Sequence, residues 1–214
     1  MSSPLRAVLF DLDGTLTDSR PGIINSVVYA LEQLGVPALS DERLRAFVGP
    51  PLHDSFADLG IEPEAAVAAY RGYFATTGIY ENSVYDGVPA LLSGLAVAGL
   101  PLAVATSKPT VFALRVLDHF DLTRHFVAVH GAELDGTNRH KHEVLALALA
   151  SLDIDAGAAV LVGDRAADVI GAARCGVPFI GASWGYGEPG ELVTAGASAM
   201  APTPGDVLTL IQVG

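Results

Sequence analysis

Cysteine is almost absent from this sequence. The 214 residues include a single cysteine, Cys175, so the chain cannot form an internal disulfide. Proteins without disulfides are typical of reducing compartments, and we therefore expect a cytoplasmic location. The setting of this residue, Ala-Ala-Arg-Cys-Gly in a predicted helix, favours a small packed thiol over a nucleophile.

Basic residues are also scarce, which limits the possible partners. Lys and Arg together number 12 against 24 Asp and Glu, a formal net charge of −12. This balance argues against nucleic acid and against an anionic membrane surface as partners. An anionic substrate would need local cations or a metal ion in the pocket of so acidic a protein.

Long hydrophobic runs are missing as well, and no secretory leader is expected. The apolar runs reach about 11 residues and contain Gly or Pro, which is too short for a membrane span. The first residues lack a signal-peptide pattern, because a predicted strand and its acids follow at once. Half of the residues are apolar and 17% are charged, so we expect one domain with a buried core plus a small insertion.

Hydrophobic periodicity divides the chain into two kinds of segment. Between residues 17 and 85 the apolar spacing is helical, and no strand is expected there. Elsewhere short apolar strands alternate with helices. The predicted strands are 7–10, 102–106, 126–130, 160–163 and 177–180. The predicted helices are 21–34, 41–48, 52–59, 62–77, 88–98, 111–120, 143–152, 166–175 and 206–211.

This alternation predicts an α/β fold with a Rossmann-like, doubly wound parallel sheet built from right-handed βαβ units. The helical block interrupts the alternation after the first strand, so we interpret it as an insertion. The predicted domains are an α/β core of residues 1–16 and 86–214 and an all-helical cap of residues 17–85. Both connections lie near the acidic end of the first strand, and the insert is expected to act as a lid.

The most informative segment is Arg6–Thr15, which reads Arg-Ala-Val-Leu-Phe-Asp-Leu-Asp-Gly-Thr. Its apolar residues, Ala7–Phe10, predict a buried strand that ends in two carboxylates, Asp11 and Asp13. Open α/β sheets place their chemistry at the carboxyl ends of strands. One carboxylate there can attack an electrophile while its neighbour two residues on handles the proton. The alternative is an ordinary strand ending in an acidic turn, since Asp-Gly is a common turn pair.

Polar groups occur at three further points of the predicted core. These segments are Thr106-Ser107-Lys108-Pro109, Arg139-His140-Lys141 and Gly163-Asp164-Arg165-Ala166-Ala167-Asp168. For the last of them, a helix cap followed by a solvated acid is the alternative to a functional pair.

Together with the first motif, these segments resemble the four signature motifs of the haloacid dehalogenase-like superfamily, which consists mostly of phosphatases. The resemblance runs from Ala7 to Gly176 in the expected order and spacing, and the helical insert lies where that superfamily has its C1 cap. Gly49-Pro-Pro-Leu, Thr-Ser-Lys-Pro and Leu-Asp-Gly-Thr resemble the phosphoglycolate phosphatase-like branch. The resemblance implies a Mg²⁺-dependent phosphatase, a monomer or homodimer, whose partner is a small phosphorylated metabolite.

The resemblance also implies a role for each matching catalytic residue. Asp11 is the implied nucleophile that takes the phosphoryl group as an aspartyl phosphate. Asp13 is the implied acid that protonates the leaving oxygen and later activates water. Thr106, Ser107 and Lys141 are the implied substrate-binding residues, and Thr106 and Lys141 also stabilise charge during transfer.

The implied metal ligands are four acids. Asp11 and Asp164 are expected to coordinate Mg²⁺ through their carboxylates, and Asp13 through its backbone carbonyl. Asp168 is expected to bind the ion through water or to orient the lysine. Mg²⁺ suits oxygen sites built from few carboxylates, phosphate and water.

Asp13 also separates functions within the superfamily. Its dehalogenases lack an acid two residues after the nucleophile, because a halide leaves without a proton, so Asp13 favours phosphoryl chemistry. A phosphosugar mutase is an alternative, but such mutases usually carry an arginine near position 52, where this chain has Leu52 and only Arg45 or Arg71 as substitutes. A catalytically silent regulator that binds a phosphorylated ligand is the other alternative; such a protein would be expected to lose Asp11 or Asp13 first.

Four other patterns are interpreted as structural. Glu133–Thr137 nearly repeats the first motif, but no strand precedes it, so it is expected to be a loop. Gly181–Gly185 fits a serine-hydrolase elbow but lacks the following helix and a later histidine. Gly185–Gly190 fits a dinucleotide fingerprint too close to the end of the chain, and is expected to be a flexible loop bordering the pocket. His140 and His142 should point to different sides of a helix and form no metal pair.

Overall fold

The computed structural model describes residues 4–212 and contains a six-stranded sheet and a two-stranded sheet. Residues 1–3 and 213–214, which belong to the predicted core domain, lie outside the described residues. The strands are β1 (Ala7–Phe10), β2 (Thr17–Asp18), β3 (Ser83–Val84), β4 (Leu102–Pro109), β5 (Ala128–Ala132), β6 (Ala159–Gly163), β7 (Phe179–Ala182) and β8 (Met200–Ala201). The helices are α1 (Arg20–Gln33), α2 (Asp41–Arg45), α3 (Leu52–Asp58), α4 (Pro63–Phe74), α5 (Val88–Val97), α6 (Thr110–His119), α7 (Lys141–Leu152), α8 (Ala166–Cys175), α9 (Glu191–Thr194) and α10 (Pro204–Gln212).

The large sheet has the strand order β5–β4–β1–β6–β7–β8, and the paired strands are parallel. From β1 the chain proceeds outward through β4 to β5, and then returns to place β6 on the other side of β1. The order therefore reverses beside β1, and such a switch point opens a crevice at the carboxyl ends of the strands. The predicted fold class, a doubly wound parallel α/β sheet, is confirmed.

The strand β1 is apolar throughout because both of its faces are covered. Leu9 lies in a buried cluster with residues of α7 and α8, among them Val144 and Ala172. Val8 and Phe10, which alternate with Leu9 along the strand, are also fully buried. A strand buried on both faces reads as a continuous hydrophobic run, as Ala7–Phe10 does.

The chain divides into two compact units. One combines the chain up to Thr17 with the chain from Val84 onward, and the other is Asp18–Ser83. That these units act as a core and a cap stays a prediction. Within the part of the chain that the structure describes, every helix is too short or too polar to traverse a bilayer.

The Asp18–Ser83 unit is built from the helices α1 to α4. Two of its helices, α2 and α4, begin at side-chain caps: the Ser40 side chain accepts a hydrogen bond from Arg43 N, and the Glu62 side chain accepts one from Ala65 N. Aromatic side chains pack between the helices, with the rings of Phe47 and Phe56 5.0 Å apart. The four predicted helices are present; α1 has its predicted length but begins and ends one residue earlier, and α2, α3 and α4 are shorter than predicted.

The prediction that residues 17–85 contain no strand was wrong. β2 and β3, two residues each, pair with one another at the two ends of this segment. Two residues are too few to show an alternating pattern, so this pairing left no signal in the sequence. The predicted strand 102–106 continues to Pro109, and 126–130 and 177–180 are shifted by two residues, to 128–132 and 179–182.

Candidate active site

The ends of three adjacent strands bring the predicted site residues to one edge of the sheet. Phe10 of β1 pairs with Val104 of β4 on one side and with Val162 of β6 on the other. Asp11 follows β1 directly, Thr106 lies in the last part of β4, and Asp164 follows β6. Parallel strands end at the same edge, so these residues emerge close together.

A tight turn after β1 brings the first motif against Asp164. Gly14 has a φ of +85°, in the left-handed region that favours glycine. A Cβ on Gly14 would lie 2.6 Å from Asp164 Cγ, so a side chain here would displace the carboxylate. The next residue, Thr15, donates its hydroxyl to Asp164 Oδ1 at 3.1 Å. The turn that follows the predicted nucleophile therefore also positions a predicted metal ligand.

Lys141 lies at the centre of the buried acids. Its Nζ is 2.7 Å from Asp11 Oδ1 and 2.8 Å from Asp168 Oδ1, and it donates to the backbone oxygen of Ala105 at 2.9 Å. Asp11 directly follows β1, Asp168 lies in α8 and Ala105 lies in β4. The lysine is 5% exposed, so the ammonium has little contact with water.

Lys141 occupies the first turn of α7, whereas the sequence predicted a helix that begins at residue 143. His140 is the residue before the helix, with extended backbone, and its N–H donates to the Glu143 side chain at 2.9 Å. The prediction that His140 and His142 point to different sides was wrong. Their rings stack with centroids 5.8 Å apart, because His140 lies outside the helix and the helical spacing does not apply to it.

The Asp168 carboxylate makes two kinds of contact, one that caps a helix and one with Lys141. Its Oδ2 accepts the backbone N–H of Arg165 at 3.0 Å, which caps the start of α8. Its Oδ1 faces Lys141 Nζ. The carboxylate is 1% exposed, so the alternative of a solvated acid was wrong.

Burial and mutual proximity shift the pKa values of Asp11, Asp164 and Lys141. Burial raises the pKa of Asp11 from 3.8 to about 6; the Lys141 ammonium opposes this shift, and the charge of Asp168 adds to it. Burial also raises the pKa of Asp164 well above its ordinary value, and the charges of Asp168 and Asp11 act in the same direction. Burial alone would lower the pKa of Lys141, but the two carboxylates it contacts outweigh burial and raise it.

The three buried carboxylates are suited to hold a divalent cation. Oxygen atoms of Asp11, Asp164 and Asp168 all lie within 4.8 Å of one another, the one such cluster of potential metal ligands among residues 4–212. Three carboxylates and one ammonium leave a formal charge of −2, which one Mg²⁺ neutralises. An all-oxygen donor set of this kind is typical of Mg²⁺ sites.

Lys108 is a site residue whose role the sequence did not reveal. Its Nζ contacts both oxygens of Asp13 at 2.8 Å. The side chain of Lys108 is 6% exposed and that of Asp13 21%. In the sequence Lys108 is notable only because it lies two residues after Thr106, and this position does not indicate that its partner is Asp13.

An irregularity in β4 explains how Lys108 reaches Asp13. Between Ala105 and Pro109 the strand advances four residues, while β5 advances two, from His130 to Ala132. Extra residues of this kind bend a strand and redirect its side chains. Within the irregularity, Thr106 Oγ1 accepts the Lys108 N–H at 3.2 Å, and Thr106 is buried. Ser107, predicted to bind substrate, has an exposed side chain.

Both predicted loops are loops in the structure. Glu133–Thr137 forms a turn closed by a hydrogen bond from Glu133 N to Thr137 O. Gly185–Gly190 is a loop next to Asp164, and its flexibility stays a prediction. The N–H of Tyr186 donates to Asp164 Oδ2 at 2.7 Å, and the indole N–H of Trp184, next to the segment, donates to Thr15 O at 3.0 Å.

Comparison with known proteins relates this site to a described family. The family model of haloacid dehalogenase-like hydrolases matches residues 8–182. A 5′-nucleotidase of Pseudomonas aeruginosa is 48% identical over 86% of each chain. A phosphoglycolate phosphatase (plasmid) of Cupriavidus necator is 34% identical over 94% of this chain and 90% of its own.

Two further proteins extend the comparison. Tyrosine-protein kinase PtkA of Mycobacterium tuberculosis is 44% identical over 85% of this chain, but the match spans only 63% of that longer protein. The crystal structure of a predicted phosphatase from Clostridium acetobutylicum is 43% identical, covers 99% of this chain and 100% of its own, and superposes with a TM-score of 0.93. Residues 8–182, which the family model matches, include Asp11 after β1 and Asp164 after β6.

Proposed function

The chain belongs to the haloacid dehalogenase-like hydrolases and is a phosphatase, and on this basis we propose that it is a magnesium-dependent enzyme that hydrolyses a small phosphomonoester through an aspartyl phosphate on Asp11. The observation that carries the proposal is the buried Asp11 carboxylate at the end of β1, with Lys141 Nζ at 2.7 Å and two further acids beside it.

The proposed first step is transfer of the phosphoryl group to Asp11. A carboxylate oxygen of Asp11 forms a bond to phosphorus while the bond from phosphorus to the ester oxygen breaks. Asp13 donates a proton to the departing alkoxide, so the product leaves as a neutral alcohol. Lys108 contacts both oxygens of Asp13 and restrains the orientation of this carboxyl group.

The second step regenerates the enzyme. Asp13, now ionised, removes a proton from a water molecule that attacks the phosphorus of the aspartyl phosphate. The bond between phosphorus and Asp11 breaks, inorganic phosphate leaves, and both aspartates return to their starting states. Lys141 and Thr106, with Ser107 at the exposed side, bind the phosphoryl oxygens in both steps.

A cation is required because the phosphoryl group and the nucleophile are both negative. We assign Mg²⁺ to Asp11, Asp164 and the backbone carbonyl of Asp13, with Asp168 binding through water or orienting Lys141. When bound, the ion supplies positive charge that offsets the repulsion between carboxylate and phosphate. The formal charge of −2 on the buried cluster supports this assignment.

The proposed substrate class is a small phosphomonoester. The two relatives named for hydrolysis of a phosphomonoester carry the substrate names 5′-nucleotide and phosphoglycolate, and the higher identity belongs to the 5′-nucleotidase. Nucleoside 5′-monophosphates and phosphoglycolate are therefore the first compounds to test. We further propose that residues 17–85 form the cap domain and that its side chains select the substrate.

The test of the proposed function is turnover of p-nitrophenyl phosphate with Mg²⁺ and with EDTA. We expect release of inorganic phosphate only with Mg²⁺, and loss of turnover in Asp11→Asn with an unchanged circular dichroism spectrum. Asn has the same shape but is too weak a nucleophile to accept the phosphoryl group. Near-normal turnover in this variant, or full activity in EDTA, would contradict the proposal.

A panel of nucleoside 5′-monophosphates, phosphoglycolate and phosphosugars then tests the two alternatives weighed in the sequence analysis. A phosphatase releases phosphate, whereas a mutase moves it within a phosphosugar without net release. A silent regulator binds ligands but gives no metal-dependent turnover with any ester.

A further inference from the structure

The segment between β7 and α9, Ser183–Gly190, is named here the Trp184 loop. It packs directly against Asp164: a Cβ on Gly185 would lie 2.6 Å from Asp164 Cγ, closer than real Cβ atoms approach a neighbour. The loop backbone therefore forms one wall around a carboxylate of the acidic cluster. A wall this close determines which side-chain conformations Asp164 can adopt.

Both oxygens of Asp164 receive a hydrogen bond. The backbone N–H of Tyr186 donates to Oδ2 at 2.7 Å, and the hydroxyl of Thr15 donates to Oδ1 at 3.1 Å. Each carboxylate oxygen has two acceptor positions, so one position on each oxygen is left for a cation. Because both donors are buried or partly buried, the carboxylate is held in one orientation before any ion arrives.

The indole of Trp184 fixes one of these two donors. Its Nε1–H donates to the backbone oxygen of Thr15 at 3.0 Å, although the two residues are 169 positions apart in the sequence. Thr15 lies in the turn that starts at Asp13, and its own hydroxyl contacts Asp164. The contact therefore ties the Trp184 loop, the turn after β1 and Asp164 into one hydrogen-bonded unit.

The far end of the Trp184 loop is anchored to the residues that follow Asp164. Glu191 Oε1 accepts from Arg165 Nε at 2.9 Å and from Ala166 N at 2.7 Å, while Oε2 accepts from Glu188 N at 3.0 Å. The Trp184 loop therefore contacts Asp164 itself through Tyr186, and Glu191 at its far end contacts Arg165 and Ala166. These anchors reduce the freedom of the loop and support the geometry of the two donors.

We propose that Trp184 and Thr15 are positioning residues for the metal site: they fix the orientation of Asp164, and through it the affinity for Mg²⁺. The inference rests on the proposed function, because it assumes that Asp164 is a metal ligand. Groups that orient metal ligands from outside the coordination sphere contribute about 10- to 100-fold to metal affinity. Neither residue contacts the reacting atoms in this arrangement.

The test measures Mg²⁺ binding by isothermal titration calorimetry in the full chain. Trp184→Phe keeps an aromatic ring but removes the N–H, and we expect about 10-fold weaker binding. Tyr186→Phe is the matched control from the same loop. It removes a hydroxyl that donates to Thr17 O, leaves the backbone donor to Asp164 in place, and should bind Mg²⁺ like the wild type.

A second measurement needs no variant. Trp184 is the one tryptophan of the sequence, so its indole N–H gives a single resonance in a ¹H–¹⁵N spectrum. We expect this resonance to shift during a Mg²⁺ titration with the midpoint that calorimetry gives. This titration decides the inference if Trp184→Phe does not fold.

The possible failures are distinguishable. A wild-type protein that binds Mg²⁺ while its indole resonance stays unmoved would overturn the inference and leave the proposed function intact. A folded Trp184→Phe variant that binds Mg²⁺ as tightly as the wild type would do the same. Absence of Mg²⁺ binding by the wild type would contradict the proposed function itself.

Discussion

Replacing the proposed nucleophile should make the metal-free protein more stable. Burial raises the pKa of Asp11 from 3.8 to about 6, so the folded state resists its ionisation. One pKa unit corresponds to about 1.4 kcal/mol, and the shift of about two units therefore destabilises the folded protein by about 3 kcal/mol above pH 7. Asp11→Asn removes this charge and should gain about that amount at pH 7.5.

The sign of the pH dependence follows from the direction of the shift. Between pH 3.8 and 6 the folded state binds more protons at Asp11 than the unfolded state does. Its contribution to stability therefore falls as pH rises through this window and is fully lost above pH 7. The advantage of Asp11→Asn over the wild type should shrink from about 3 kcal/mol at pH 7.5 to about half of that at pH 5.

Thermal unfolding in EDTA at these two pH values measures the effect. For a chain of this size, about 3 kcal/mol corresponds to a midpoint about 6 to 12 °C higher for the variant. Added Mg²⁺ should reverse the order at about 1,000 times its dissociation constant, where the ion stabilises the wild type by about 4.1 kcal/mol. An Asp11→Asn protein that is no more stable than the wild type in EDTA at pH 7.5 would show that burial does not oppose ionisation of Asp11.

Two further predictions concern the lysines. Lys141→Met should destabilise the metal-free protein by about 3 to 5 kcal/mol in urea unfolding at pH 7.5, because Asp11 and Asp168 lose their buried counter-ion. Lys141→Arg is the control that keeps the charge, and an unchanged urea midpoint in Lys141→Met would contradict the prediction. Lys108→Met should slow hydrolysis of alkyl phosphates about 10-fold more than that of p-nitrophenyl phosphate, because Asp13 loses the cation that restrains it and alkoxides need a proton most. Equal losses on both ester types would show that Lys108 does not act through Asp13.

The sequence predicted the parts of this protein that rest on periodicity and on strand ends. An apolar run closed by an acid, as at Phe10 and Asp11, is visible without coordinates because burial on both faces requires it. The alternation of strands and helices after residue 88 predicted the parallel sheet, and it also predicted that Asp164 lies at the edge formed by the carboxyl ends of the strands. These features are local, or follow from the ordinary rules of βαβ connections.

The features that the sequence did not predict are contacts between distant segments. Nothing near Lys108 indicates that it pairs with Asp13, because the irregularity in β4 that redirects it depends on the register against β5. Trp184 gave no signal either, since its partner Thr15 is far away in the chain. Local patterns carry information about faces and turns, and long-range hydrogen bonds leave no such pattern.

The span of these contacts has a consequence for synthesis of the protein. The proposed nucleophile, Asp11, is made among the first residues, but Thr15 meets its acceptor Asp164 only 149 positions later. Contacts of such separation form late in folding and close large loops of chain. A polypeptide still being translated therefore carries Asp11 without its counter-charge until Lys141 has left the ribosome, and a fragment that ends before Asp164 should be inert toward the phosphate esters of the cell.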